Sequence, residues 1–169
     1  MKNINNTATF WITGISGAGK STLANYLKKE LDKKNLPNII LDGDEIRNAF
    51  DKKKSFTKKE RLNIAYQYSK LAKFINDQEI NVIFATISLF HEIHIYNREN
   101  LNNYIEIFLD RKIEKIKLED IKSIYSKEKN VVGIDITAEL PKAPTYHICN
   151  PKKSDYPSIS KKIVKEFLT

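Results

Sequence analysis

The stretch Thr9-Phe10-Trp11-Ile12-Thr13-Gly14-Ile15-Ser16-Gly17-Ala18-Gly19-Lys20-Ser21-Thr22 decides the fold. Its first five residues are apolar or β-branched and read as a strand. A glycine cluster follows, and then Leu23, Leu27 and Leu31 recur every four residues as one face of a helix. Between strand and helix, residues 14–21 make a complete G-x-x-x-x-G-K-S phosphate loop. The glycines let backbone N–H groups turn toward an anion, and the helix behind adds the positive end of its dipole. Gly14, Ile15, Ser16, Gly17, Ala18, Gly19, Lys20, Ser21 and Thr22 are therefore expected to bind ATP. Lys20 would span the β- and γ-phosphates as a catalytic cation, and the Ser21 hydroxyl would ligate Mg2+. A glycine turn with no anion to hold would gain nothing from Lys20 or from the entropic cost of Gly17 and Gly19. The motif by itself leaves kinases, hydrolysing switches and motor ATPases open.

Working outward, Asn38-Ile39-Ile40-Leu41 reads as a buried strand whose end carries Asp42-Gly43-Asp44. Thr57 and Glu60 have capping-box spacing, and Leu62, Ala65, Ala72 and Ile75 predict one face of a helix running to about Asp77. Residues 80–87, 104–109 and 146–149 read as further strands, and the polar segment 91–100 as a helix. Ile159, Ile163, Val164 and Phe167 make the buried stripe of a last helix. Gly133, Pro141 and Pro144 mark 130–145 as a loop long enough to cover a ligand. The alternation predicts an α/β fold, a mostly parallel sheet with helices on both faces. With 169 residues and no repeat or linker, residues 1–169 read as a single domain.

Hydrophobic residues at 41% and charged residues at 30% exclude a disordered or membrane-spanning chain. The net charge of +8 is spread over lysines interleaved with acids, with few aromatics between them, which reads as solvated surface rather than a nucleic-acid site. A positive field draws in small polyanions such as ATP equally well. A lone cysteine and the lack of a leader pattern point to the cytoplasm. Cys149 reads as core; His91, His94 and His147, with no cysteine in ligand geometry, read as surface or packing residues. Tyr66, Tyr68 and Tyr96 read as covering helix faces, Tyr66 within reach of an acceptor pocket.

Over nearly its whole length the chain resembles the adenylylsulfate kinase family. The matching blocks are residues 14–22, Leu41-Asp42-Gly43-Asp44-Glu45-Ile46-Arg47, Phe56 with Arg61, Ile87-Ser88, Ile105-Glu106-Ile107-Phe108-Leu109-Asp110, Lys122 with Tyr125, and Gly133-Ile134-Asp135 before Pro141. The resemblance implies a three-layer P-loop kinase fold of five strands, ATP and Mg2+ as donor and cofactor, and a small nucleotide as acceptor, phosphorylated on its ribose 3′-hydroxyl. Neither nucleic acid nor membrane is an expected partner, and a homodimer stays open. Asp44, expected at the carboxyl edge of the second strand, can orient the attacking hydroxyl, take its proton or serve the metal together with Ser21. Asp42 would sit on the same face if the strand continues, nearer the metal shell or the acceptor. Capping of the next helix is the plain alternative for both. Arg47 and Arg61 match the positions that grip the acceptor's 5′-phosphates, Lys122 the lysine beside the transferring phosphates, Phe56 one aromatic wall of the base, and Ile87 and Ser88 the acceptor strand end.

The departures concern the acceptor. Where the family has Asn and then Ile-Arg-Arg, this chain has Ile64, Ala65, Tyr66 and Gln67; after Ser88, Leu89-Phe90-His91 replaces a run ending in Arg. Val131 stands where the family's second aromatic wall would be. A lost aromatic face is worth roughly 1–3 kcal/mol per stacked base, so the acceptor is expected to have changed. The pattern resembles the cytidine diphosphoramidate kinase branch of bacterial capsule biosynthesis. A divergent adenylylsulfate kinase is the alternative, and a non-catalytic nucleotide-binding module is one of another class. The retained Asp44, Arg47, Arg61 and Lys122 speak against the module.

Overall fold

The computed structural model describes residues 7–50, 57–119 and 136–168. Strand β1 (Thr9–Thr13) is buried at every residue because strands flank it on both sides and helices cover both faces. Its side chains alternate between those faces. Phe10 and Ile12 join a core with α1 (Lys20–Asp32), and Trp11 joins a second core with α3 (Lys58–Asn76). The same split divides β3 (Asn81–Thr86): Ile83 and Ala85 face the first core, Val82 and Phe84 the second. With β2 (Asn38–Asp42), β4 (Tyr104–Asp110) and β5 (Tyr146–Cys149), the five strands form one sheet in the order β2-β3-β1-β4-β5, and all four pairings are parallel. This is the three-layer α/β architecture expected of a P-loop kinase.

The remaining elements are α2 (Gly43–Ala49), α4 (His91–Asn100), α5 (Ile113–Glu119), a 3-10 turn (Lys153–Asp155) and α6 (Tyr156–Phe167). Helix α6 packs with α1 under the sheet through Ile163 and Val164, with Ile159 and Phe167 at the margin of the core. The capping box of α3 is formed: Glu60 N–H donates to Thr57 Oγ1 at 3.3 Å, and Thr57 N–H donates to Glu60 Oε2 at 2.7 Å.

Several expectations are corrected. β2 is an edge strand with β3 as its one neighbour, so it is only half-buried, and Ile39 is 39% exposed. The buried face of α3 runs through Ile64, Ala65, Tyr68, Ser69, Ala72 and Asn76, with Leu62 and Ile75 at its margin. β5 is the other edge, which leaves Cys149 exposed rather than in the core. α5 lies inside the lysine-rich stretch after β4, where charge hides the apolar pattern.

Candidate active site

A cavity of about 520 Å³ opens at the carboxyl ends of the strands, where parallel sheets place their ligands. One wall is the phosphate loop. Gly17 has φ +76° and Gly19 φ +98°, and a Cβ on either would strike a neighbour: Ile116 Cγ2 at 2.6 Å or Tyr156 Oη at 2.0 Å. Glycine therefore lets the loop lie against α5 and α6. Tyr156 Oη donates to Ala18 O at 3.3 Å, and Arg111 Nη1 to Gly17 O at 3.5 Å. Gly19 is the N-cap of α1 and supplies no side chain, and the first turn carries no acid, so the positive end of a 13-residue helix faces the cavity. This cradle fits a polyphosphate. Lys20 arches over the loop, its Nζ donating to Ile15 O at 2.9 Å.

The opposite wall is the corner between β2 and α2. The strand stops at Asp42, so Asp42 and Asp44 do not share a strand face as expected. Asp42 is the N-cap of α2, with Oδ1 accepting from Asp44 N–H at 2.9 Å, while its Oδ2 accepts from Ser21 Oγ at 2.6 Å. A serine hydroxyl against a carboxylate is an oxygen-rich set suited to a hard cation such as Mg2+. Asp44 lies in the first turn of α2, 58% exposed at its side chain, and is ion-paired with Arg47 one turn on. Gly43 is pinned between Thr86 and Tyr68, whose hydroxyl donates to Gly43 O at 2.9 Å, and burial raises that phenol's pKa. The corner is thus held by β3 and α3.

Arg47, Thr86 and Ile87 continue from the cavity into an adjoining depression with Arg61, Ser88, Ile64 and Phe90. Arg47, Arg61, Ile87 and Ser88, the residues expected to contact the acceptor, thus line one depression. Ser88 is held in a strained conformation (φ +22°), with Thr13 Oγ1 donating to the preceding carbonyl of Ile87. Behind it, His94 Nε2–H donates to Ser88 O at 3.1 Å. Burial drives the His94 pKa down to about 4. Glu106, also buried, is ion-paired with Arg98, yet burial outweighs that cation and raises its pKa.

Two other expectations change. Tyr66 turns from the acceptor side: its hydroxyl donates to Glu92 of α4, which raises the phenol to about 12, and its ring meets Tyr96 edge-on at 5.0 Å. His147 does have a cysteine neighbour, with Nε2 3.5 Å from Cys149 Sγ. Phe56, Lys122 and Val131 lie outside the described residues. The cavity also recruits residues that sequence reasoning missed: Arg111, Lys115, Asn150, Lys152, Lys153 and Tyr156. Arg111 directly follows β4, the neighbour of β1, so a scan of strand ends would have found it. The lysines were lost in the general excess of that residue.

Residues 6–149 match the family model of adenylylsulphate kinase. The cytidine diphosphoramidate kinase of Campylobacter jejuni is 41% identical over 146 residues, covering 82% of this chain and 84% of its own. An adenylyl-sulfate kinase of Burkholderia ambifaria is 34% identical, covering 82% of this chain and 80% of its own. Among solved structures, the Mycobacterium tuberculosis APS kinase CysC, in complex with AMPPNP and APS, superposes with a TM-score of 0.86 at 23% identity, covering 96% of this chain and 98% of its own. The family match takes in both the phosphate loop and the depression with Arg47 and Arg61, so the chain belongs to the adenylylsulphate kinase family and is a nucleotide kinase with a hydroxyl group as acceptor.

Proposed function

We propose that the chain acts as one cytoplasmic kinase domain that transfers the γ-phosphoryl group of ATP to the ribose 3′-hydroxyl of cytidine 5′-diphosphoramidate, for capsule phosphoramidate biosynthesis. The observation that carries this reading is the acceptor-side depression, where Ile64 and Phe90 stand beside Arg47 and Arg61. The arginines suit a 5′-diphosphate-like group, and Ile64 replaces the polar Asn that the family carries at that position for an adenylylsulfate acceptor. The 41% identity to a kinase named for the cytidine acceptor supports the same choice.

In this reading Lys20 and the backbone N–H groups of residues 14–22 hold the donor phosphates, and Ser21 with Asp42 and Asp44 would hold Mg2+. Mg2+ bound there would offset charge on the phosphate oxygens. Arg47 and Arg61 grip the acceptor's 5′-phosphates, Ile87 and Ser88 shape its seat, and Phe56 and Val131 face its base. Asp44 accepts the 3′-hydroxyl proton as the oxygen–phosphorus bond forms and the bond to the β–γ bridging oxygen breaks, releasing ADP. Lys122 adds positive charge beside the transferring group.

The test offers both acceptors with ATP and magnesium in one buffer and compares kcat/KM. A preference for the cytidine nucleotide of at least about tenfold, or ~1.4 kcal/mol of differential transition-state binding, is expected. A preference for adenylylsulfate overturns the acceptor assignment in favour of the reading that the Burkholderia relative supports. Neither acceptor being used while ATP still binds would leave a nucleotide-binding module.

A further inference from the structure

Beside the nucleotide cavity, the carboxyl ends of β4 and β5 gather a second set of chemistry-bearing side chains. The two strands pair in parallel with Phe108 opposite His147 and Asp110 opposite Cys149. Side chains two apart on a strand share a face, and so do directly paired residues of neighbouring strands. Asp110, His147 and Cys149 therefore project from one side of the sheet. His147 Nε2 lies 3.0 Å from Asp110 Oδ2 and 3.5 Å from Cys149 Sγ, and the three ligand atoms all fall within 4.8 Å of one another. Phe108 stacks on the imidazole at 5.1 Å between ring centres, which fixes the plane of the ring. Cys149 is exposed, and Asp110 and His147 are close to half-exposed, so an ion has access.

Tetrahedral zinc, with bonds of about 2.3 Å to sulfur and about 2.0–2.1 Å to nitrogen or oxygen, holds sulfur and nitrogen about 3.5 Å apart and nitrogen and oxygen about 3.3 Å apart. The observed separations of 3.5 and 3.0 Å match those edges to within a few tenths of an ångström. A hydrogen bond between His147 and Asp110 explains one separation but gives no reason for a thiol to meet the same nitrogen. Sulfur and imidazole together select borderline transition metals over Mg2+. We infer that Asp110, His147 and Cys149 form a three-ligand site for a divalent transition metal of the Zn2+ type, with water in the fourth position. Such an ion would join the ends of β4 and the edge strand β5 immediately before Asn150. Asn150 N–H donates to Asp110 O at 2.7 Å, and its side-chain oxygen accepts from Lys112 N–H at 3.3 Å. Arg111 and Asn150 line the nucleotide cavity, so the ion would brace that wall without touching the phosphate loop.

The test uses the full chain, free of affinity tag and nucleotide, stripped with a chelator and titrated with Zn2+ alone or Co2+ alone. Expected are one equivalent per chain, a thiolate-to-cobalt charge-transfer band, and a rise in Tm with metal concentration. Cys149→Ser should abolish the band; His147→Ala and Asp110→Asn should each weaken Zn2+ binding by at least about tenfold. His91→Ala should leave binding unchanged. Cys149 is the sole cysteine, so alkylation of the folded parent gives a second measurement that needs no substitution. Zn2+ should slow that labelling at least about tenfold. No saturable binding, binding that persists unchanged in Cys149→Ser and His147→Ala, or labelling indifferent to Zn2+ overturns the site and leaves a hydrogen-bonded surface trio.

Discussion

Asp42 carries two duties with one carboxylate: one oxygen caps α2 and the other accepts from Ser21. Asn caps about as well as Asp but carries no charge. Asp42→Asn is therefore expected to leave Tm almost unchanged while lowering kcat on the order of 10²-fold, as removal of a preorganised electrostatic group does. Parent-like kcat across a magnesium titration would reduce Asp42 to a cap. Asp44→Asn is expected to lower kcat by about 10²–10⁴-fold with little change in acceptor KM, because only the transition state uses proton acceptance. A change in KM alone would give Asp44 to binding. The acidic pair was legible in the sequence because Asp42-Gly43-Asp44 ends an apolar run. Its division of labour was not, since that depends on where the strand stops. Gly43, wedged against Thr86 and Tyr68, turns the chain into α2 one residue after Asp42, and the residues that wedge it lie far along the chain.

At the scale of elements, local signals were readable and distant ones were not. The Thr57–Glu60 box was legible because both partners lie within one turn, and Thr57→Ala should cost about 1 kcal/mol. Helix α4 lacks such a signal, its N-cap being Phe90 with no side-chain bond. Its cap comes from Glu139, 48 residues away: Oε2 accepts from His91 N–H at 2.8 Å, while Oε1 meets Lys58 Nζ of α3 at 2.6 Å. Lys58 first, and then the His91 N–H, hold the Glu139 carboxyl below its ordinary range. Its contribution is accordingly present above the unfolded value near 4.5 and is lost as pH falls through the lower folded value. Glu139→Ala should cost about 1 kcal/mol at pH 7, roughly 2–4 °C in Tm. A parent-like Tm would show α4 to be adequately capped without it. The phosphate loop gives a sharper test. Gly19→Ala meets both the strained φ and the Tyr156 hydroxyl, whereas in Gly19→Ala/Tyr156→Phe the nearest remaining ring atom stands at 3.0 Å. The double variant should recover part, but not all, of the Tm lost by Gly19→Ala; strict additivity of the two substitutions would deny the contact.

At the scale of the whole molecule, buried polar contacts between distant residues tie helix α4 to the sheet and to the loops at Ser88 and Ala143. His94 of α4 donates to Ser88 O after β3, Glu106 of β4 pairs with Arg98, and Arg98 also donates to Ala143 O at 3.2 Å on the way to β5. Helix α4 read as polar and gave no apolar stripe because Asn97 and His94 are themselves among its buried positions. Polar residues are buried when distant partners satisfy them, which periodicity does not record. His94 Nδ1 stands 3.6 Å from Glu106 Oε1, beyond hydrogen-bonding range, and neither atom has a hydrogen-bond partner among the described residues. Protonating His94 in place would thus bury a cation near the Arg98 guanidinium, with the Glu106 carboxylate close but not hydrogen-bonded to it. The folded pKa of about 4 lies below the ordinary 6.5, so below pH 6.5 the unfolded chain binds a proton that the folded chain refuses. Stability from this residue is complete above about 6.5 and falls as pH drops toward 4, by at most ~3 kcal/mol. Glu106 works in the opposite sense: its raised pKa penalises the folded state above the unfolded value near 4.5, and acid relieves that penalty. Comparing parent with His94→Gln separates the two, because the amide can still donate to Ser88 O but does not titrate, and Glu106 is common to both proteins. Urea unfolding at a series of pH values from 7 to 4 should show the parent losing up to ~3 kcal/mol more than the variant, with the difference growing below pH 6.5. Equal slopes in the two proteins would mean that His94 takes up its proton within the fold, with Glu106 as its counter-ion.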